Sequence, residues 1–482
     1  MGQRSVVKNI VSVALSNIIT LLAGVGVGLL LPKLLEVEDY GWYKTFTLYV
    51  TYLGFAHLGL LDGIVLEYGG LDFDQLDRPL FRNYFSWYSI INGFFAGALL
   101  IISIFLKDNN RIIIICLALY LLVGNFAGYF QQISQITQRF REFSKRNILS
   151  GVLKIADVGL LYICTLTRVG ASYKLYLTFF LATEFILTTW YLFTYKDIVV
   201  GERTPLSNTI GNVFLLCKQG FPLLFANLCG LLILSLDRQF VRILFDTTAY
   251  AKYAFAYNLL SLVTAATSAI STVLYPTLKR TSETKMREYC ASLVGLILVF
   301  IFGAIILYFP LCILIEWFLP KYMESLLIFR IIFPGLAMSS SITVIMHNYY
   351  KTEGKSGLYF KKSVVVLLVS AAANMVAYAS FRTVESISIA SILTMFFWYL
   401  YVENYFRKAY QYDGKCNYVY ILLMLIGFYV ISSISNHYLS AVIYLFYFVM
   451  ITMCFQKKTM TSMLRLLHRN TETKPSESPS AQ

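Results

Sequence analysis

The chain has 482 residues, 58% of them hydrophobic and only 14% charged, whereas soluble domains carry about a quarter charged residues. That balance excludes a soluble globular protein and describes a multi-span membrane protein. The formal charge of +14 does not point to nucleic acid, because the loops are too short to build a basic aqueous domain; it is read by side of the membrane instead.

A span needs about 20 apolar residues to cross roughly 30 Å of hydrocarbon. In chain order such runs lie near 9–34, 42–66, 84–106, 112–136, 147–166, 173–195, 213–236, 250–275, 289–315, 325–348, 361–381, 386–405, 418–434 and 438–455. Helices satisfy their own backbone in lipid, and outer-membrane strands would be about half this length. The expected fold is therefore all-α, with about fourteen spans.

The first run is too long for a removable signal peptide and no small-residue cleavage site follows it. Its "AGVGVGLLLP" places Gly24, Gly26, Gly28 and Pro32 in one span, and span ten holds Pro334 and Gly335. Helix breakers mark places to bend; for the glycines, close helix packing is the competing reading. The second run opens in "LLEVEDYGWYKTF", which returns as "LFDTTAYAKYAFA" from Leu244. Leu34 answers Leu244, Tyr40 answers Tyr250, Gly41 answers Ala251 and Tyr43 answers Tyr253. Six spans separate the copies, and an even number restores orientation, so the halves read as parallel repeats about a pseudo-two-fold along the membrane normal. Two six-helix lobes, 1–200 and 201–405, would face a central cavity, followed by two further helices over 406–455 and a basic tail over 456–482. The end of that tail is polar and Pro/Ser-rich, a composition expected to be disordered.

Lys and Arg set the orientation. Arg4 and Lys8 precede span one; Arg139, Arg141, Lys145 and Arg146 follow span four; Lys279, Arg280, Lys285 and Arg287 follow span eight. Lys351, Lys355, Lys361 and Lys362 come after span ten, Arg407, Lys408 and Lys415 after span twelve, and five more lie in the tail. The alternation places both termini in the cytoplasm. The eight cysteines have no C-x-x-C spacing and read as small apolar residues rather than metal ligands. "TEGKSG" lacks a phosphate-binding loop's leading glycine, since Tyr349 stands there. With no H-E-x-x-H, no loop carboxylate cluster and four histidines, a membrane glycosyltransferase or polymerase is disfavoured; neither an enzyme, a cofactor nor a metal is expected.

"PKLLEVEDYGWYKTF" resembles the first hairpin of polysaccharide (O-antigen) flippases, within the multidrug/oligosaccharidyl-lipid/polysaccharide exporter superfamily. "QITQRFREFSKRNIL" is similar to that family's basic loop after span four, "SLDRQFVRILFDTTAYAKYAFAYNLL" to its connection between spans seven and eight, and "NYYKTEGKSGLYFKKSVVVLLVSAAAN" to its loop after span ten. The likeness covers about residues 5 to 405. It departs in span one, which lacks the arginines of some lipid-linked precursor flippases. The resemblance implies movement of an undecaprenyl-diphosphate-linked oligosaccharide, such as an O-antigen or capsule repeat unit, to the outer leaflet of a bacterial inner membrane. It also implies a polysaccharide polymerase and a chain-length regulator as partners, beside membrane lipids.

A diphosphate needs cations, and a charge inside the bilayer needs a cavity or a partner. The candidate cations are Lys44, Lys154, Lys218, Lys252 and Arg330. Lys44, Lys252, Lys218 and Arg330 lie within snorkelling reach of an interface; Lys154 is deeper, and its i, i+3 spacing to Asp157 allows the two to neutralise each other. Asp157 and Glu184 fall near the midplane at about 1.5 Å per residue and are the candidates for coupling to a proton or Na⁺ gradient. Glu184 has no local basic partner in sequence. Asp62 reads as an interfacial anchor. Asp237 and Arg238 close span seven and are candidates for an outer gate, or ordinary interfacial charges. A cation exporter of the multidrug and toxin extrusion type is the alternative function, but its substrates favour an acidic cavity.

Overall fold

The computed structural model describes residues 3–167, 170–279, 282–412 and 414–457, and among them every regular element is helical. The part of the tail beyond 457 lies outside the described residues. Among the described residues ten helices are long and apolar enough to cross a membrane, eleven if the bent pair Glu324–Ile332 and Gly335–Thr352 counts as one span. Contacts gather the chain into two compact units, Met1–Phe255 and Ala256–Gln482. A division by repeat at residue 200 and this division by contact answer different questions, since α8 (Leu206–Leu244) and the first turns of α9 (Thr247–Lys279) pack with the helices before them.

The first unit begins with α1 (Gln3–Leu34), a continuous helix that passes through all three glycines and Pro32 without a break. A methyl at Gly24 or Gly26 would meet open space, so neither makes a close packing contact. The second run, expected as one span over 42–66, is instead two helices, α2 (Val37–Leu53) and α3 (Leu60–Tyr68). Between them Leu58 and Gly59 take left-handed conformations, φ 53° and 87°, which only glycine adopts without cost. The physical cause is tertiary. Gly59 and Gly63 lie backbone to backbone on Leu216, Cys217, Gly220 and Phe221 of α8, where any side chain would collide with main-chain atoms.

Next come α4 (Arg78–Ile104), α5 (Asp108–Ile136), α6 (Phe140–Leu166) and α7 (Tyr173–Thr194). Asp77 starts α4 by accepting from the Leu80 amide at 3.1 Å, and Ser172 starts α7 by accepting from Leu175 at 3.3 Å, each satisfying an otherwise orphaned donor. Tyr84, Tyr88, Tyr129, Tyr191 and Tyr195 are buried in one apolar cluster with Phe81, Phe85 and Phe130. These tyrosines serve helix packing as well as any interfacial belt.

The second unit holds α10 (Glu283–Ala304), α11 (Tyr308–Phe318) and a bent span: α12 (Glu324–Ile332), α13 (Gly335–Ser340), a π turn at Ser341–Met346 and α14 (His347–Thr352). The arms meet at 43°, because Pro334 donates no hydrogen bond and disfavours helix in the residue before it. Then follow α15 (Ser356–Phe381), α16 (Val384–Tyr410), α17 (Lys415–Ile431) and α18 (His437–Phe455).

Candidate functional site

In the first unit, α6 and α7 bring together a buried polar group. Asp157 is 4% exposed, and its Oδ1 accepts from the Thr183 hydroxyl at 3.0 Å. Its Oδ2 is buried without a hydrogen-bond partner. Glu184, next to Thr183 and equally buried, faces Arg146 at 3.9 Å, a basic partner that is not local in sequence. The partner comes from the preceding span rather than from its own neighbourhood in sequence. Arg146 lies eleven residues before Asp157, three helical turns and thus on the same face of α6, and its long stem covers the remaining depth. That spacing was a signal available in the sequence, hidden because Arg146 also belongs to a basic loop.

Lys154 is half-buried on α6. No ion pair within 4 Å joins it to Asp157, and the close partner of that carboxylate is Thr183; the i, i+3 neutralisation allowed by sequence is not made. It remains within electrostatic reach of Asp157, Glu184 and Arg146. Two cations and two acids therefore share one water-poor region, close enough that a proton on either acid changes what the cations see.

A second group forms where the repeated stretches meet. Gly41 on α2 lies against Thr247 and Ala251 of α9 so tightly that a methyl would strike the Thr247 carbonyl. Around this crossing Tyr250 donates to the Lys44 carbonyl at 3.2 Å, and the Lys44 ammonium lies 5.3 Å and 5.5 Å from the Tyr40 and Tyr43 rings. Asp237 accepts from the Tyr253 hydroxyl at 2.6 Å and from the Arg238 amide at 2.7 Å, and Arg238 donates to the Leu234 carbonyl. Arg242, which the sequence reading passed over, bonds Thr45 at 2.7 Å and stacks 4.8 Å over Trp42. Lys252 is half-buried beside them.

The remaining candidates lie elsewhere. Lys218 is exposed on α8. Arg330, in the second unit, donates to Ser432 at 2.8 Å, to the Tyr429 carbonyl at 2.7 Å and to Ser433 at 2.6 Å, which ties α12 to the end of α17. Of the hinge candidates, Pro334 and Gly335 sit at an actual bend, whereas Gly24, Gly26 and Gly28 sit in unbroken helix. Among the described residues no three His, Cys, Asp or Glu side chains converge as a metal site would require.

A family profile described as "Polysaccharide biosynthesis protein" matches residues 6–282, and the chain belongs to that family. A search of curated proteins finds no match. Among solved structures the chain is similar to the lipid II flippase MurJ in an inward closed conformation, at 14% identity and a TM-score of 0.66, covering 94% of this chain and all of that one. It is also similar to an inward-facing multidrug resistance MATE transporter, at 12% identity and 0.56, covering 82% and 98%. A mutant of the Vibrio cholerae MATE transporter VcmN follows at 13% and 0.56, covering 85% and 98%. The fold is thus that of a multi-pass membrane transporter.

Proposed function

We propose that this protein is a flippase that carries an undecaprenyl-diphosphate-linked oligosaccharide, an O-antigen or capsule repeat unit, from the cytoplasmic to the outer leaflet by alternating access. The observation that carries the reading is the buried group of Arg146, Lys154, Asp157, Thr183 and Glu184. Family membership supports a role in polysaccharide assembly, and a fold similar to that of a lipid II flippase supports a lipid-linked substrate. The basic loops support a bacterial inner-membrane protein with cytoplasmic termini.

In this reading a diphosphate arriving from the cytoplasm meets Arg146 and Lys154. While Glu184 is ionised it occupies Arg146; a proton on Glu184 releases the guanidinium for the phosphate, since an arginine serves either partner through the same donors. Asp157, with one oxygen on Thr183 and the other open, is the second proton or Na⁺ acceptor. Proton and substrate are thereby coupled through one side chain. Lys44, Lys252 and Lys218 would offer further cations along the path, Asp237 and Arg238 the outer gate, and Pro334–Gly335 the bend. Arg330 is set aside as a helix fastener, because three of its hydrogen bonds go to α17. Polymerase and chain-length regulator are the partners this role calls for.

The test is translocation in proteoliposomes of an undecaprenyl-diphosphate oligosaccharide against a cationic dye, with and without a proton or Na⁺ gradient. Movement of the glycan lipid, abolished in Arg146→Gln and uncoupled from the gradient in Glu184→Gln with binding retained, is the expected result. Movement of the dye alone would overturn it in favour of a cation exporter.

A further inference from the structure

The break in span two contains a titratable pair that the substrate site does not use. His57 lies just before the left-handed corner at Leu58 and Gly59, and Asp62 just after it. The imidazole Nδ1 accepts from the Gly59 amide at 3.2 Å, while Nε2 faces the Asp62 carboxylate at 3.8 Å. A nitrogen that accepts carries no proton, so this arrangement is that of neutral histidine with its hydrogen on Nε2, directed at Asp62. The ring is buried, 8% exposed at the side chain, and lies against Tyr88 with centroids 6.2 Å apart.

We propose that His57 is a proton-binding site whose occupancy latches or releases the break between α2 and α3. A second proton can enter only at Nδ1. There it turns the acceptor of the Gly59 amide into a competing donor, leaving that amide unsatisfied in an apolar interior. Asp62, 3.8 Å from Nε2, is the carboxylate that the imidazolium so formed would face. The consequence is mechanical, because the amide that is lost is the one that shapes the corner.

The surroundings favour a proton over a metal cation. A hard cation seeks several oxygens, whereas here one carboxylate faces a nitrogen base. From α4 the Tyr88 ring lies against the imidazole, and Asn92, one turn along, accepts at 2.8 Å from Asn125 of α5, which also bonds the Leu53 carbonyl at 2.9 Å. From α8 come Cys217, whose carbonyl meets Gly59, and the next residue, exposed Lys218. The Tyr88 hydroxyl donates to the Asn125 carbonyl at 3.0 Å. Among the residues named here Asp62 is the one carboxylate, and the latch does not depend on which substrate the protein carries.

Hydrogen–deuterium exchange of the full chain in lipid nanodiscs, read on peptides covering 54–63 and corrected for intrinsic exchange, tests the latch. Protection in the wild type is expected to fall about five- to ten-fold as pH drops from about 7 to about 3.5, since a buried imidazole takes its second proton only in acid, and the fall reads the loss of one buried hydrogen bond. His57→Asn, whose amide oxygen accepts from Gly59 but does not titrate, is expected to stay protected throughout, and Asp62→Asn to move the transition to lower pH. A flat wild-type profile, or the same fall in His57→Asn, overturns the proposal. Should His57→Asn not fold, ¹⁵N solid-state NMR of wild-type His57 decides: a protonated Nδ1 at pH about 7, or a neutral ring at about 3.5, overturns it.

Discussion

Two spans are broken, α2–α3 in the first unit and α12–α14 in the second, and they break for different reasons. In the second, Pro334 withholds a donor and Gly335 follows, so the chain bends by its own covalent chemistry. In the first there is no proline. Helix ends at Leu53 and resumes at Leu60 because Gly59, Gly63 and Gly220 let α3 and α8 meet main chain to main chain. Near the break each first arm also has a carbonyl bonded by a side chain of another helix: Asn125 donates to Leu53 at 2.9 Å and Tyr429 to Ile331 at 2.8 Å. A break written in the chain persists alone; a break imposed by a neighbour lasts only while the neighbour fits.

This difference can be broken at its strongest point first. Gly220→Ala places a methyl against the Gly59 carbonyl and the Gly63 amide, neither of which is a flexible side chain, and is expected to cost about 3 kcal/mol or more. The yield and melting of folded monomer by size exclusion measure it, and wild-type behaviour would mean that α3 and α8 are not packed through backbone. Arg330→Met removes three donors from the end of α17 and is expected to destabilise by about 2–3 kcal/mol, read as lowered thermal stability in detergent. In transport the same variant should lower protein level and rate together; a selective loss of substrate binding at full stability would instead make Arg330 a substrate contact. Asn125→Leu uncovers the Leu53 carbonyl and leaves Asn92 without its donor, for about 1–2 kcal/mol. The smallest effect belongs to span one: Gly26→Ala enters open space in continuous helix and should stabilise by up to about 1 kcal/mol. Lost transport in that variant at full stability would restore the glycine as a hinge.

The same contrast runs through the buried charges. Glu184 and Asp157 on α7 and α6 are held by an arginine and a threonine, whereas in the second unit Glu353 accepts from Tyr405 and Tyr410 and pairs with Lys355 at 3.0 Å. Glu403, fully buried on α16, accepts from Tyr412 at 3.4 Å. Tyrosine hydroxyls solvate an acid without neutralising it, while an arginine competes for it. Lys355, which pairs with Glu353, is exposed, so of these two ion pairs it is Arg146–Glu184 that keeps its cation inside the protein.

By itself the sequence determined the membrane solvent and the all-helical fold, because hydrophobic length is a property of the chain read locally. It also put Asp157 and Glu184 at one level of neighbouring helices, since helical rise is constant, and the bend at Pro334–Gly335, since proline acts on its own backbone. Only the tertiary structure decided that Arg146 answers Glu184, that Thr183 rather than Lys154 serves Asp157, that Arg330 fastens α17, and that span two is interrupted at His57–Gly59. In each of those cases the deciding partner lies on another helix. Periodicity says which face of a helix is polar, but hydrogen-bond distance and backbone contact depend on which face meets it.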